Sequence, residues 1–413
     1  MSSQAAGLMA HPADRRSRSK RLRAILALGL VLIAALALPS ASFAATDGDF
    51  SYVSDGTSVT ITGCSASPCE ANLTIPASIG GLPVTGIVDE AFYDQTSLRT
   101  VAIPASVTNV AAMAFKNSGL TSVSFEAGSQ LTSIGHSAFL NTSGLTSITI
   151  PASVTSIGSS AFQGSGLTSV SFEAGSALAT IGDGVFYGTS DLASITIPAS
   201  VTSIGPSAFA LSGVASVTFA PGSQLASIDG RAFKGTSNLG SISIPASVTS
   251  IAEYSFLNSG LTSVVFLGDV PSIGADAFFK SFTVGAIAYV DPNYTGYGAV
   301  GDDFNGLTVA SLLTYTSSGG EVTITGCAFD PCPLTAITIP ASIGGEPVTT
   351  IGTSAFMAAS SLTSLTIPAS VTGVGDQAFY HSGLTGVSFE VGSQLEWIGH
   401  NAFDGTSGLT SVS

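Results

Sequence analysis

Histidine, cysteine and clustered acidic side chains are the groups in this chain whose types could do chemistry, and they are sparse. Past residue 44 only three histidines remain, His136, His381 and His400. A histidine base needs a partner hydroxyl or carboxylate within hydrogen-bond reach. Ser and Thr are so abundant here that such a trio can be drawn anywhere, and abundance removes its meaning. His136 and His400 occupy corresponding sites, "IGHSAF" and "IGHNAF", where the same motif elsewhere carries Ser159, Asp183 or Pro206. A position that accepts such unlike side chains is a solvated turn. No G-x-S-x-G, H-E-x-x-H or phosphate-cradling glycine motif occurs. Asp302, Asp303 and Asn305 in "GDDFNG" offer oxygen ligands without the alternating spacing of a calcium loop, so they read as a solvated loop. The expectation is a protein that is not an enzyme, with no catalytic residue, metal or small-molecule cofactor.

The four cysteines form two C-x4-C pairs, Cys64/Cys69 in "GCSASPC" and Cys327/Cys332 in "GCAFDPC". Zinc would need four soft ligands converging, whereas close, even pairs in an exported chain read as two local disulfides. Export is expected from residues 1–44. The basic run "RRSRSKRLR" precedes fifteen apolar residues, Ala24 to Leu38, and "PSASFAA" follows with small residues suited to cleavage between Ala44 and Ala45. Fifteen residues are too few to span a bilayer comfortably, so no membrane insertion is expected once this leader is removed. Five Lys and Arg then face twenty-five acidic residues, a net charge of −20. Such a surface has no electrostatic footprint for nucleic acid. The expected location is extracellular, with attachment to the cell surface left open.

What positions these residues is a repeat. Phe92, Phe115, Phe139, Phe162, Phe186, Phe209, Phe233, Phe256 and Phe278 lie 22 to 24 residues apart, and the series resumes at Phe356, Phe379 and Phe403. A hexapeptide L-x-x-[IV]-x-[IF] accompanies each, as in Leu145/Ile148/Ile150 and Leu167/Val170/Phe172. Its spacing alternates 22 and 25, so the true unit is a 47-residue pair of coils, one bearing "IPASV" and the other "FEAGSQL" or a relative. Ile148 and Ile150 alternate with Thr149, which suits a short strand with one buried face, and proline directly after it ends the pairing. The fold class expected is an α/β-type repeat solenoid, mainly β. More specifically, it is a right-handed leucine-rich-repeat solenoid with one short parallel strand per 22–25-residue coil.

The chain carries two tandem arrays. "VTITGC" opens at Val59 and again at Val322, with "TIPASIGG-PVT" after both. The first array is expected at 45–310, with an N-terminal hairpin and cysteine cap and a C-terminal cap at about 282–310. The last strand of that array, Val284/Ile287/Tyr289, still fits the hexapeptide. The second is expected at 311–413, and it stops in mid-hexapeptide at "GLTSVS", which reads as a truncated array.

"LTSITIPASVTSIGSSAF" (Leu145 to Phe162), with its "IP-S-V-x-x-I-G-x-x-A-F" core, in a coil repeat that recurs in register at least ten times, resembles the BspA-like (Treponema-type) leucine-rich-repeat family. The likeness covers about residues 50–413. It implies a secreted or surface-attached bacterial protein acting in adhesion or protein–protein interaction, with an unknown protein or a cell-surface or matrix ligand as partner. The alternative is a structural stalk or envelope spacer that presents a downstream domain. The outward strand positions, Thr146/Ser147/Thr149, Thr168/Ser169/Ser171 and Ser194/Thr196, are the candidate binding face. Their uniformity fits either a stabilising hydroxyl ladder or a weak surface that gains avidity by repetition. Trp397, standing where other coils carry Ser, is a further candidate contact.

Overall fold

Each hexapeptide becomes a four-residue parallel strand because its apolar residues recur every second position and find the same residues one coil away. The computed structural model describes residues 43–279, 286–293, 296–330 and 332–413, and every regular element among them is a β-strand, with no helix. Ser147–Ile150 pairs in parallel with Ser169–Phe172, placing Ile148 beside Val170 and Thr149 beside Ser171. Ile148 and Ile150 are buried, and Thr149 is exposed. Each coil also holds a second parallel strand, of two residues, beyond the one expected. Ser156–Ile157 pairs with Ser133–Ile134 on one side and Thr180–Ile181 on the other. These short strands form one continuous ladder from the N-terminal hairpin to Ser272–Ile273.

The third flank is built of turns around the Ala-Phe dipeptide. Consecutive turns close from Gly135 to Ala138, Ser137 to Leu140 and Phe139 to Thr142. The amides of Ser137, Phe139 and Asn141 donate to the next coil, at Ser159, Ala161 and Gln163. This path needs a left-handed residue two before and two after each Phe, as at Ser137 (φ 53) and Asn141 (φ 58). Non-glycine side chains pay a steric cost there, least for Asn and Asp. Leu211 (φ 58) is the misfit: it is branched, half-exposed, and at the site that Asn117, Asn141 and Asn258 fill in other coils. Leu211→Asn is therefore expected to raise the unfolding free energy by about 0.5–1 kcal/mol, read from the urea midpoint. Gly158 meets a different demand. A Cβ there would lie 2.5 Å from the His136 amide nitrogen of the preceding coil.

Inside the turns the phenylalanine rings stack into a spine. Neighbouring centroids from Phe92 to Phe278 are 5.0–5.7 Å apart, with interplanar angles of 2–17°. Phe356, Phe379 and Phe403 repeat the arrangement in the second array.

Antiparallel hairpins start both stacks. Phe50–Ser54 and Val59–Cys64 pair at the first, Leu313–Ser318 and Glu321–Cys327 at the second. The strand Val59–Cys64 then pairs in parallel with Leu82–Ile87, and Glu321–Cys327 with Glu346–Ile351. Buried apolar side chains form two clusters, one from Phe50 to Val309 and one from Leu312 to Ala402.

Val265 belongs to the second cluster although it sits among strands of the first. It occupies the outward position that is Ser243 one coil earlier. Leu267 and Tyr289 also pack against the second cluster, and the Phe329 ring meets Tyr289 edge-on at 4.7 Å. The strand Ile287–Val290 thus sits one residue away from the hexapeptide reading. Ala288 and Val290 face the first core and Tyr289 turns outward, while Val284 lies outside the described residues. Small Ala288 fits the inner slot, and the ring serves the joint between the arrays. Phe266, Tyr297 and Phe304 cluster at 4.9–5.7 Å beneath it. The cap expected at 282–310 is described only in part, since 280–285 and 294–295 are outside the described residues.

Asp291 anchors this joint. Its carboxylate accepts from the backbone and side-chain N–H groups of Asn293, whose Nδ2 also donates to the Thr338 carbonyl. Burial pushes the Asp291 carboxyl above its ordinary range, against the pull of the Asn293 bonds. An acid raised in the fold stabilises below its unfolded pKa, and that contribution is lost as pH climbs through the raised value. Asp291→Asn keeps the acceptor oxygen without the buried charge. It is expected to raise stability at pH 7 by on the order of 1 kcal/mol and to flatten the loss between acid and neutral pH, read by thermal melts across that range.

Candidate binding face

The candidate face is assembled by the parallel register, which carries one outward residue from every coil into line. Thr146, Ser147, Thr149, Thr168, Ser169, Ser171, Ser194 and Thr196 are all exposed on neighbouring strands. Their hydroxyls are partly engaged between coils. Thr168 donates to the Thr146 carbonyl at 3.0 Å, Thr149 and Ser171 bond at 2.8 Å, and so do Thr196 and Thr218. Part of the donor capacity is spent along the stack, and the face still presents hydroxyl donors together with acceptor lone pairs and methyl groups.

Trp397 is not part of this face. It lies in the two-residue strand Trp397–Ile398, paired with Gly373–Val374 on the other ladder. Its ring is half-exposed and covers Gly373, where a Cβ would come within 2.1 Å of the indole. Glycine at 373 and tryptophan at 397 form a matched pair.

The hydroxyl face runs into a groove at two of the corners that follow the strands. One, of about 440 Å³, is bordered by Ser171, Phe172, Thr196, Pro198 and Ala220. An equivalent of about 400 Å³ is bordered by Pro76, Pro104, Phe125 and Glu126. Carboxylates organise these corners, a role the sequence reading missed. Glu126, Glu173 and Glu390 accept from the amides of Ala105, Ala152 and Ala369 in the preceding coil, at 3.0, 2.9 and 3.3 Å. The signal was present as the Glu of "FEAGS" two coils apart. The serine of "IPAS" is a second missed role: Ser153 and Ser200 donate to the Leu131 and Leu178 carbonyls of the coil before.

The three histidines stay apart from one another, and His136 Nε2 lies 3.1 Å from the Ser137 hydroxyl of its own turn. His136, His381 and His400 are exposed, and His136 lies in the first array while the others lie in the second. His381 takes a left-handed conformation beside the Tyr380 ring, and the His400 amide donates to Asp376. Among the described residues no group of three potential ligands converges on a metal site. Cys64 bonds Cys69 and Cys327 bonds Cys332, with Cα atoms 5.5 and 5.6 Å apart. The leader expected at 1–44 falls almost wholly outside the described residues. Ala44 and Ala45 lie in the strand Phe43–Asp47, opposite Val53 and Tyr52. Among the described residues no helix is long and apolar enough to cross a membrane.

The chain is similar to several solved structures. A leucine-rich repeat protein from Bacteroides ovatus is 19% identical, with a TM-score of 0.51 over 89% of this chain and 94% of its own. A leucine rich cell surface protein from Faecalibacterium prausnitzii is 22% identical, with a TM-score of 0.35 over 90% of this chain and 94% of its own. The pneumococcal vaccine antigen PcpA is 20% identical, with a TM-score of 0.47 over 85% of this chain and 89% of its own. No curated protein matches the chain by sequence. The BspA type leucine rich repeat region matches in six copies, over residues 71–178, 171–284 and 322–413. The chain belongs to the BspA type leucine-rich-repeat family.

Proposed function

We propose that this protein is an exported, non-enzymatic adhesion or interaction module that engages a protein, cell-surface or matrix ligand through its hydroxyl-lined strand face. The observation that carries this reading is the continuity of that face, exposed from Thr146 through Thr196 with the same small polar chemistry. Such a surface lacks the buried aromatic and arginine anchors of a high-affinity site. It acts through many weak contacts whose strength grows with the number engaged. The hydroxyl pairs Thr149–Ser171 and Thr196–Thr218 favour a second reading, in which the same residues only stiffen a stalk that spaces another domain from the surface.

Beads carrying the purified protein at rising density separate the two. Adhesion gives retention on epithelial cells or matrix-extract-coated wells that climbs steeply with density and falls at least fivefold in Thr149→Lys/Thr196→Lys. Retention that ignores those substitutions removes the strand face from the reading. No retention at any density leaves the spacer.

A further inference from the structure

Three coil pairs use a glutamate to close the corner after the strand, and two, at Ala220 and Leu267, do not. The backbone at Glu126, Glu173, Ala220 and Glu390 is equivalent. Each amide donates to the isoleucine carbonyl of the preceding coil, at Ile103, Ile150, Ile197 and Ile367 respectively, at 2.9–3.0 Å. The alanines facing them correspond too, because Ala105, Ala152, Ala199 and Ala369 all accept from the next corner loop through their carbonyls. In three of the four the glutamate side chain returns to cap the alanine amide. At the fourth, Ala220 holds a methyl group where the carboxylate would be. The groove of about 440 Å³ lies there, walled by Phe172, Pro198 and Ala220, with Ala199 on its floor. At the next coil pair Leu267 takes the glutamate's place, but it packs against the second array's core. The equivalent groove of about 400 Å³ at the Ala105 corner holds the Glu126 carboxylate on the alanine amide, and at the Ala199 corner Ala220 offers no such group.

We infer that this groove is a binding subsite for a carboxylate side chain of a peptide segment from a partner, which supplies the cap that Ala220 cannot. The apolar walls take the methylene stem and the Ala199 N–H takes the carboxylate, as in the sibling coils. No Lys or Arg lines the groove, and its one charged lining residue, Glu173, is turned to the Ala152 amide, so a neutral amide does the recognising and the single-site affinity is weak. The protein is acidic overall, with a net charge of −15. Screening therefore strengthens the binding of an anion here, the reverse of a basic site. This subsite is on the corner flank and does not depend on adhesion by the strand face.

The test uses 15N-alanine-labelled protein, with the Ala199 amide identified by its loss in Ala199→Gly. Titration with N-acetyl-glutamate N-methylamide should shift the Ala199 resonance saturably and leave Ala152 still. N-acetyl-glutamine N-methylamide should shift it at least fivefold less at equal concentration. Ala220→Glu should abolish the response by supplying the cap internally. Glu173→Ala should make Ala152 respond, which decides the matter if the first variant fails to fold. A still Ala199, an equal response to the glutamine probe, or a response that persists in Ala220→Glu overturns the proposal.

Discussion

Replacing Phe186 with alanine is expected to cost about 3–5 kcal/mol, among the largest losses from a single truncation in the first array. The ring is fully buried and stacks on Phe162 at 5.7 Å and Phe209 at 5.3 Å. Its removal opens a cavity that the neighbours cannot fill, because each is held by its own stacking partner on the far side. Two aromatic contacts, worth about 0.5–1.5 kcal/mol each, are lost with it. In a stack where each coil touches only its neighbours, a weak central coil also uncouples the two halves. Denaturant unfolding followed by circular dichroism should therefore show a lower midpoint and a broader transition. Phe403→Ala is the contrast. That ring is half-buried and has one stacked neighbour, Phe379, and should lose less than half as much. A cost at Phe186 of about 1 kcal/mol or less, typical of an ordinary site, would show that the spine is not what holds the coils in register.

The second large effect is expected at the joint. Val265→Asp places an unpaired carboxylate where the side chain is 3% exposed and surrounded by the second array's core. An uncompensated buried charge costs about 3–5 kcal/mol, and here the cost falls on the contact between arrays. Calorimetry should resolve two transitions where the unaltered protein gives one. Ser243→Asp provides the control, since it occupies the same outward position one coil earlier, in partial contact with solvent. It should change stability by no more than about 0.5 kcal/mol. A single, merely lowered transition in Val265→Asp would mean that the arrays are coupled through some other contact.

The coil architecture was legible because its determinants are local. The alternation at Ile148, Thr149 and Ile150 fixes a strand and its buried side, and the Phe ruler fixes where each coil returns. The second, two-residue strand was not legible. Two residues carry no period, and Ser156–Ile157 becomes a strand only by lying between Ser133–Ile134 and Thr180–Ile181. The joint was missed for a different reason. Tyr289 fits the hexapeptide as an inward residue, and only the presence of Phe329 forty residues later draws it outward. A signal existed in the outward slot itself. "SVSF" and "SVTF" become "SVVF" at Val265, and Ala66 of the first cysteine loop becomes Phe329 of the second. On the candidate face, the identity of the exposed hydroxyls was readable from the strand period. Their pairing between coils, the glutamate caps and the match of Gly373 to Trp397 were not, because each depends on what the adjacent coil presents.

The direction of the inter-coil hydrogen bonds has a mechanical meaning. The bonds of both ladders, and those from the Phe turns, link one coil to the next and so run along the stack. A load that separates the ends pulls these bonds open one coil at a time and does not shear many at once. A released coil of 23 residues or so turns a rise of about 5 Å into roughly 80 Å of extended chain. Attached at both ends, the molecule would yield by paying out slack in coil-sized steps, keeping hold of whatever it grips while the distance to it grows.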